Sequence, residues 1–208
     1  MLKVIVYCSK LYMISNIQFL ALIEPNKLVT SDAMDMKNRC QKEYGWNSSK
    51  PHLTVFDIIQ PFHNEERLVK NFERNIENIS PFQIDFCGFH YFSNPTYTLF
   101  IKLKDEKKFS EMAQYIRKFL NPVMKSVKYY PPHFNLKKPH LTIAKGISEP
   151  EFLRAWQSWE HAEYQSSTTA ESILLLKRPF TYGNLKYEIV GDYPLLGKGP
   201  LDVQIALF

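Results

Sequence analysis

At 208 residues, 45% hydrophobic and 23% charged, the chain can bury one substantial core and lacks the composition of a disordered protein. Its three cysteines, Cys8, Cys40 and Cys87, form no C-x-x-C pair and are odd in number, which argues against a disulfide framework and fits unpaired thiols in a reducing cytoplasm. The net charge of +5 is mild, but Met112 to Ser148 holds no Asp or Glu while it holds Arg117, Lys118, Lys125, Lys128, Lys137, Lys138 and Lys145. A basic run interleaved with Tyr129, Tyr130, His133 and Phe134 suits a phosphate-bearing partner.

In chain order, the opening MLKVIVYCSKLYMISNIQFLALIEP places Lys3 before an apolar stretch. Ser9, Lys10, Asn16 and Gln18 cut it into strand-length pieces and no small-residue cleavage site follows, so it reads as two strands, KVIVYC and IQFLALI, with no secretory signal or membrane span. Residues 1–15 form an N-terminal extension or an extra strand, with Met13 an alternative start, and residues 16–208 form a single two-lobed domain. From Ser31 to Tyr44, Ala33, Met36, Cys40 and Tyr44 fall at helical spacing behind Ser31 and Asp32 as caps. HLTVFDII reads as a strand. HNEERLVKNFERNIENI reads as a helix capped by Asn64, with Leu68, Phe72, Ile76 and Ile79 on one face. FQIDFCGFHYF is extended, with a bulge at Gly88, and SNP turns the chain into TYTLFIKL. Residues 106 to 120 predict a helix that Pro122 stops. A second HLT strand follows, then a helix opened by the Ser148/Glu151 capping box and carrying Phe152, Leu153, Trp156 and Trp159. SILLLKR and YEIVGDYPL close the pattern as strands.

The pentapeptide KPHLT occurs twice, at residues 50–54 and 138–142, and each copy sits at the same place in a longer repeat: strand, helix, HLT strand, helix, strand. The expected fold is therefore α+β and duplicated, with two lobes, each an antiparallel sheet with helices on its outer face, and the H-x-T strands facing a central cleft. On a strand, His52 and Thr54 point one way and Leu53 and Val55 the other; the same holds for His140 and Thr142 against Leu141 and Ile143. Pro51 and Pro139 suit the first position of a strand and hold the preceding lysines extended. Two imidazoles with ordinary pKa values near 6.5 can act together as base and acid, while two hydroxyls donate to phosphoryl oxygens, and this chemistry needs no metal or other cofactor.

These paired H-x-T motifs resemble those of the 2H phosphoesterase superfamily, in particular the 2'-5' RNA ligase-like proteins and RNA 2',3'-cyclic phosphodiesterases. The resemblance covers about residues 16 to 208, from IQFLALIEP through PHLTIAKG to YEIVGDYPL. It implies that His52 and His140 are the acid-base pair and that Thr54 and Thr142 bind the substrate phosphate. It further implies a metal-independent phosphodiesterase acting on a 2',3'-cyclic phosphate or 2'-5' linkage in RNA or a nucleotide, whose reverse reaction is ligation. Lys145 stands where many members have arginine, keeping the charge but losing the bidentate fork. Strict alternation sets Lys145 on the face opposite His140 unless Gly146 ends the strand early, and continues the His52 face to Phe56; both are candidate substrate contacts, with Phe56 either stacking on a base or, the favoured alternative, buried as a core aromatic.

The remaining histidines, His63, His90, His133 and His161, lack a matching threonine, and no H-E-x-x-H or Cys/His spacing marks a zinc site. A monomer in the cytoplasm is expected, with no membrane partner. The alternative from a different class is a noncatalytic module that binds RNA ends or nucleotides in the same cleft. The loops at Tyr129–Leu136 and Lys177–Lys186 set which substrates fit.

Overall fold

Among the described residues, alternation of apolar and polar side chains builds nine antiparallel strands into one curled sheet. The computed structural model describes residues 16–46, 49–93, 95–125, 138–180 and 185–199, together with the backbone of 133–136. The strand expected at KVIVYC, much of the 129–136 loop and the middle of the 177–186 loop lie outside them. The strands are β1 (Asn16–Ile23), β2 (Leu53–Pro61), β3 (Phe82–Ser93), β4 (Tyr97–Leu103), β5 (His133–Leu136), β6 (His140–Ile147), β7 (Gln165–Ala170), β8 (Ser172–Pro179) and β9 (Glu188–Pro194). The helices are α1 (Lys27–Tyr44), α2 (Glu65–Ile76), α3 (Lys107–Lys125) and α4 (Glu149–Trp159).

The sheet runs β7-β3-β4-β6-β2-β1-β8-β9, with β5 added beside β2. The two HLT strands, β2 and β6, meet in the middle at the registered pair Leu53 and Leu141. That junction divides the sheet into two lobes. Helices α2 and α3 pack on each other and over the β2-β1-β8-β9 half. Helix α1 packs over β6 and β7, and α4 packs its Phe152 and Trp159 on Tyr91 and Phe89 of β3. Each lobe is thus an antiparallel sheet with a helix pair on its outer face. The two halves of the chain do not each build one lobe, because each sends a helix across: α1 leaves β1 for the other lobe, and α3 leaves β4 in the reciprocal sense. The exchange is symmetric, so the HLT strands are left back to back at the centre.

Local chemistry explains most element ends. Helix α1 begins four residues before the expected Ser31, because the Asn26 side chain accepts the Val29 N–H at 3.0 Å, and it ends at Gly45 with φ +70°. Asn64 precedes α2 as expected but does not cap it. Its side chain is buried and donates instead to Gln60 Oε1 at 2.9 Å and to the Val123 carbonyl at 3.3 Å. Pro122 does not stop α3; the helix runs on to Lys125 because Val123 and Met124 are buried beneath it, a packing gain that offsets the missing N–H of proline. Ser148 opens α4, with its N–H donating to the Glu151 carboxylate at 3.3 Å. Leu153 on that helix points outward and is exposed, unlike Phe152 and Trp159. The bulge at Gly88 is present, at φ +66°.

Candidate functional site

The two pentapeptides fold alike down to single hydrogen bonds. In the first, His52 Nδ1 lies 2.7 Å from the Lys50 carbonyl; in the second, His140 Nδ1 lies 2.6 Å from the Lys138 carbonyl. A carbonyl only accepts, so Nδ1 carries the proton in both rings, and the other nitrogen, Nε2, is the one left to exchange a proton with a ligand. The intervening proline fixes φ and the pre-proline lysine is extended, which aims each carbonyl at the ring two residues on. Each lysine is tied back by an acid: Lys50 to Glu24 at 2.6 Å and Lys138 to Glu106 at 3.6 Å.

The antiparallel pair Leu53–Leu141 sets the rest of the arrangement. Both leucines are fully buried, so the residues on either side of each turn to the opposite face, half-exposed. The register sets His52 opposite Thr142 and Thr54 opposite His140, a square of two imidazoles and two hydroxyls around a local twofold axis. The histidines lie on its diagonal, and diagonal positions in such a pair are about 7–8 Å apart.

Immediately after each threonine the repeat contains a β-bulge. Thr54 and Phe56 pair with the adjacent Leu22 and Ala21, leaving Val55 extra; Thr142 and Ala144 pair with the adjacent Phe100 and Leu99, leaving Ile143 extra. A bulge reverses the parity of every residue beyond it. Two expectations are corrected for this one reason. Phe56 is completely buried, edge-on to Phe72 with ring centroids 5.9 Å apart, and so has no surface to offer a base. Lys145 turns to the His140 and Thr142 side and is exposed, and its charge reaches His52. A second bulge at Gly146, with φ +76°, returns Ile147 to the core.

Burial holds the His52 imidazole below its ordinary pKa; the bond to the Lys50 carbonyl opposes this, and the nearby positive charges of Lys37, His140 and Lys145 add to the lowering. Lys37 carries no sequence motif, although its place in the buried row Val29, Ala33, Lys37, Cys40 of α1 marks it as a cation on a core-facing stripe. Its ammonium donates to the Ser49 carbonyl at 2.8 Å, pinning the segment that enters the first motif. Burial and the charge of Lys145 lower its pKa to about 8.

Beside His140 lies an aromatic wall that the repeat did not signal. Phe92 of β3 meets the His140 ring edge to face at 4.9 Å, and Phe100 of β4 approaches it at 5.2 Å. Phe92 packs on Phe100 at 4.4 Å, and His90 stacks parallel to Phe100 at 5.8 Å. Phe100 is buried and Phe92 half-exposed.

The described residues of the basic run do not form one surface around the motif. Arg117, Lys118 and Lys125 are exposed on α3 in the outer helix layer, Lys138 is paired with Glu106, and Lys128 and Lys137 lie outside the described residues. Among the described residues of the run, Lys145 is the one that turns to the histidines. Among the described residues no group of three His, Cys, Asp or Glu side chains is arranged to hold a metal ion, and no helix is long and apolar enough to cross a membrane.

Comparison with known proteins bears on this geometry. Residues 34–179 match the family model of the 2'-5' RNA ligase superfamily. TT0787 of Thermus thermophilus is similar in structure, with a TM-score of 0.62 and 17% identity, over 88% of this chain and 100% of that one. LigT of E. coli, solved with 3'-AMP, is similar with a TM-score of 0.58 and 11% identity, over 87% of this chain and 98% of that one. The LigT structure with NADP+ gives 0.59 at 11% identity, over 87% and 98%. No curated protein matches the chain by sequence.

Proposed function

The chain belongs to the 2'-5' RNA ligase superfamily, and from that premise we propose that it is a two-histidine phosphodiesterase acting on a 2',3'-cyclic phosphate or a 2'-5' linkage in RNA or a nucleotide. The observation that carries this reading is the matched pair of Nδ1–carbonyl bonds, which commits both imidazoles to the same tautomer and leaves both Nε2 atoms for proton transfer. A phosphoryl group held between the rings receives donors from Thr54 and Thr142. Lys145 supplies charge beside the developing phosphorane.

The repeat is symmetric, but its surroundings are not. Burial and three neighbouring cations favour neutral His52, which assigns it the base. In hydrolysis of a cyclic phosphate, His52 Nε2 takes a proton from water as the water oxygen bonds to phosphorus. The opposite P–O bond breaks, and its oxygen takes the proton from Nε2 of charged His140. With an RNA 5'-hydroxyl in place of water as nucleophile, the same proton transfers form a P–O5' bond as the P–O3' bond breaks, giving a 2'-5' linkage and a free 3'-hydroxyl; when that step runs in reverse each histidine exchanges its role. Phe92, half-exposed against His140, is the surface on which the adjoining base stacks.

The test is turnover of 2',3'-cyclic nucleotides and cyclic-phosphate-ended oligoribonucleotides in excess chelator across pH. Activity with a bell-shaped profile is the expected result. Tight binding of the same ligands without turnover makes the protein a noncatalytic binder of RNA ends.

A further inference from the structure

Building on the phosphodiesterase reading, we propose that Arg178 and Tyr187 form a second subsite, which holds an RNA phosphate and base upstream of the reacting end and so makes the enzyme prefer oligonucleotides to a cyclic mononucleotide.

Arg178 lies on the same face of the sheet as the H-x-T residues. On β8, Ile173 and Leu175 are buried towards the helices and Lys177 pairs with Glu65 of α2 at 2.6 Å, so Leu174, Leu176 and Arg178 face the other way. Across β1, Leu174 registers with Leu22, which is itself paired with Thr54; Leu176 registers with Leu20, and Arg178 with Gln18. Thr54 and Arg178 are therefore two strands apart and four residues apart along β1. That is about 10 Å across and about 13 Å along, roughly 16 Å on the diagonal. One nucleotide whose phosphate sits between the histidines does not span this, whereas an extended strand does.

The subsite has the parts that such a strand needs. The Arg178 guanidinium lies over the Tyr187 ring at 4.4 Å from its centroid. Its Nε donates to Gln18 Oε1 at 2.9 Å and its Nη1 to the Leu185 carbonyl at 3.3 Å. These bonds fix the plane of a fork with five N–H groups, and a fork so held recognises phosphate oxygens with little loss of freedom. Between it and the threonine the floor is made by half-buried Leu20, Leu174 and Leu176, a surface that accepts base faces. Exposed Ile189, Leu185 and Phe180 form its rim. Asp57 is close enough for its charge to act on Tyr187, so the site is not uniformly basic and depends on Arg178 for its attraction to phosphate. A cation clamped on an aromatic ring, continuous with a reacting-phosphate site, fits a nucleic-acid strand better than a protein surface.

The experiment compares a cyclic-phosphate mononucleotide with cyclic-phosphate oligoribonucleotides of two to four nucleotides, in the full-length protein and in Arg178→Gln, which keeps a side chain able to bond Gln18. The wild type should show kcat/KM rising with length, and Arg178→Gln should lose about tenfold on the longer substrates while turning over the mononucleotide normally. Arg178→Lys should recover part of the loss. A wild type indifferent to length overturns the proposal, as does a variant slowed equally on every substrate, which marks Arg178 as structural. Either outcome leaves the apolar rim for a protein partner. Should no substrate turn over, the phosphodiesterase reading fails by itself. Binding of fluorescent 3'-phosphorylated oligoribonucleotides then tests the subsite directly: affinity that rises with length and is lost in Arg178→Gln supports it, and length-independent affinity overturns it.

Discussion

Replacing Leu141 by alanine attacks the joint on which the geometry of the candidate site depends. Among the described residues Leu141 and Leu53 are the pair that registers β6 with β2; each is fully buried, and each lies between the histidine and threonine of its motif. A buried leucine truncated to alanine costs about 2–5 kcal/mol, with the larger values where the walls cannot collapse. Here the walls are strands pinned by β1 and β4, so the expected cost is about 3–5 kcal/mol, a large share of the roughly 5–15 kcal/mol that holds a domain together. Urea unfolding should show a lower midpoint at unchanged slope. The double variant Leu53→Ala/Leu141→Ala should cost less than the sum of its parts, since both truncations open the same cavity. A loss below about 1 kcal/mol for Leu141→Ala, or strict additivity in the pair, would refute the claim that these two side chains close the seam between the lobes. In the proposed reaction the variant should lose kcat, because the spacing of the two imidazoles and of the threonines that flank the same joint loosens.

Three further outcomes follow from the electrostatics and the hydroxyls. His52 should titrate by NMR below the ordinary histidine range, and Lys145→Gln should move it upward, since one of the cations lowering it is gone; no movement would place Lys145 away from the site. With its pKa depressed in the fold, Lys37 costs stability that is regained as pH rises from about 8 towards 10.5. The wild type minus Lys37→Met difference in unfolding free energy should therefore climb across that window by at most about 3 kcal/mol, and a flat difference would contradict the buried charge. Thr54→Ala and Thr142→Ala should each reduce kcat by an amount worth about 2–4 kcal/mol if their hydroxyls stabilise the phosphoryl charge, and unchanged kcat would remove them from that role.

The duplication made much of this fold legible in the letters. Period-2 alternation located β1, β2, β6 and β8, and helical spacing located the four described helices, because each element shows one apolar face to the core. Two strands escaped: QSSTTA of β7 has almost no apolar alternation, and HFNL of β5 is too short to carry a period. Pro122 misled because propensity is local and the burial of Val123 and Met124 is tertiary. The same limit separates Phe56 from Lys145. Alternation is sound up to a bulge, and nothing in TVF or TIA announces that Val55 and Ile143 will be extra. Phe92 and Phe100 reach His140 only through the pairing of β4 with β6 and of β3 with β4, contacts between segments far apart in the chain. The H-x-T pairs needed no such contacts, since the repeat itself marked them.

The measurement that tests the account most directly is single-turnover hydrolysis of a cyclic-phosphate-ended oligoribonucleotide by wild type, His52→Ala and His140→Ala in excess chelator. A concerted pair predicts that either variant loses most of the rate, by similar factors, and that the double variant is scarcely slower than the singles. Wild-type rates in both single variants, with each protein folded, would contradict two-histidine catalysis and leave the candidate site as a binding site for RNA ends.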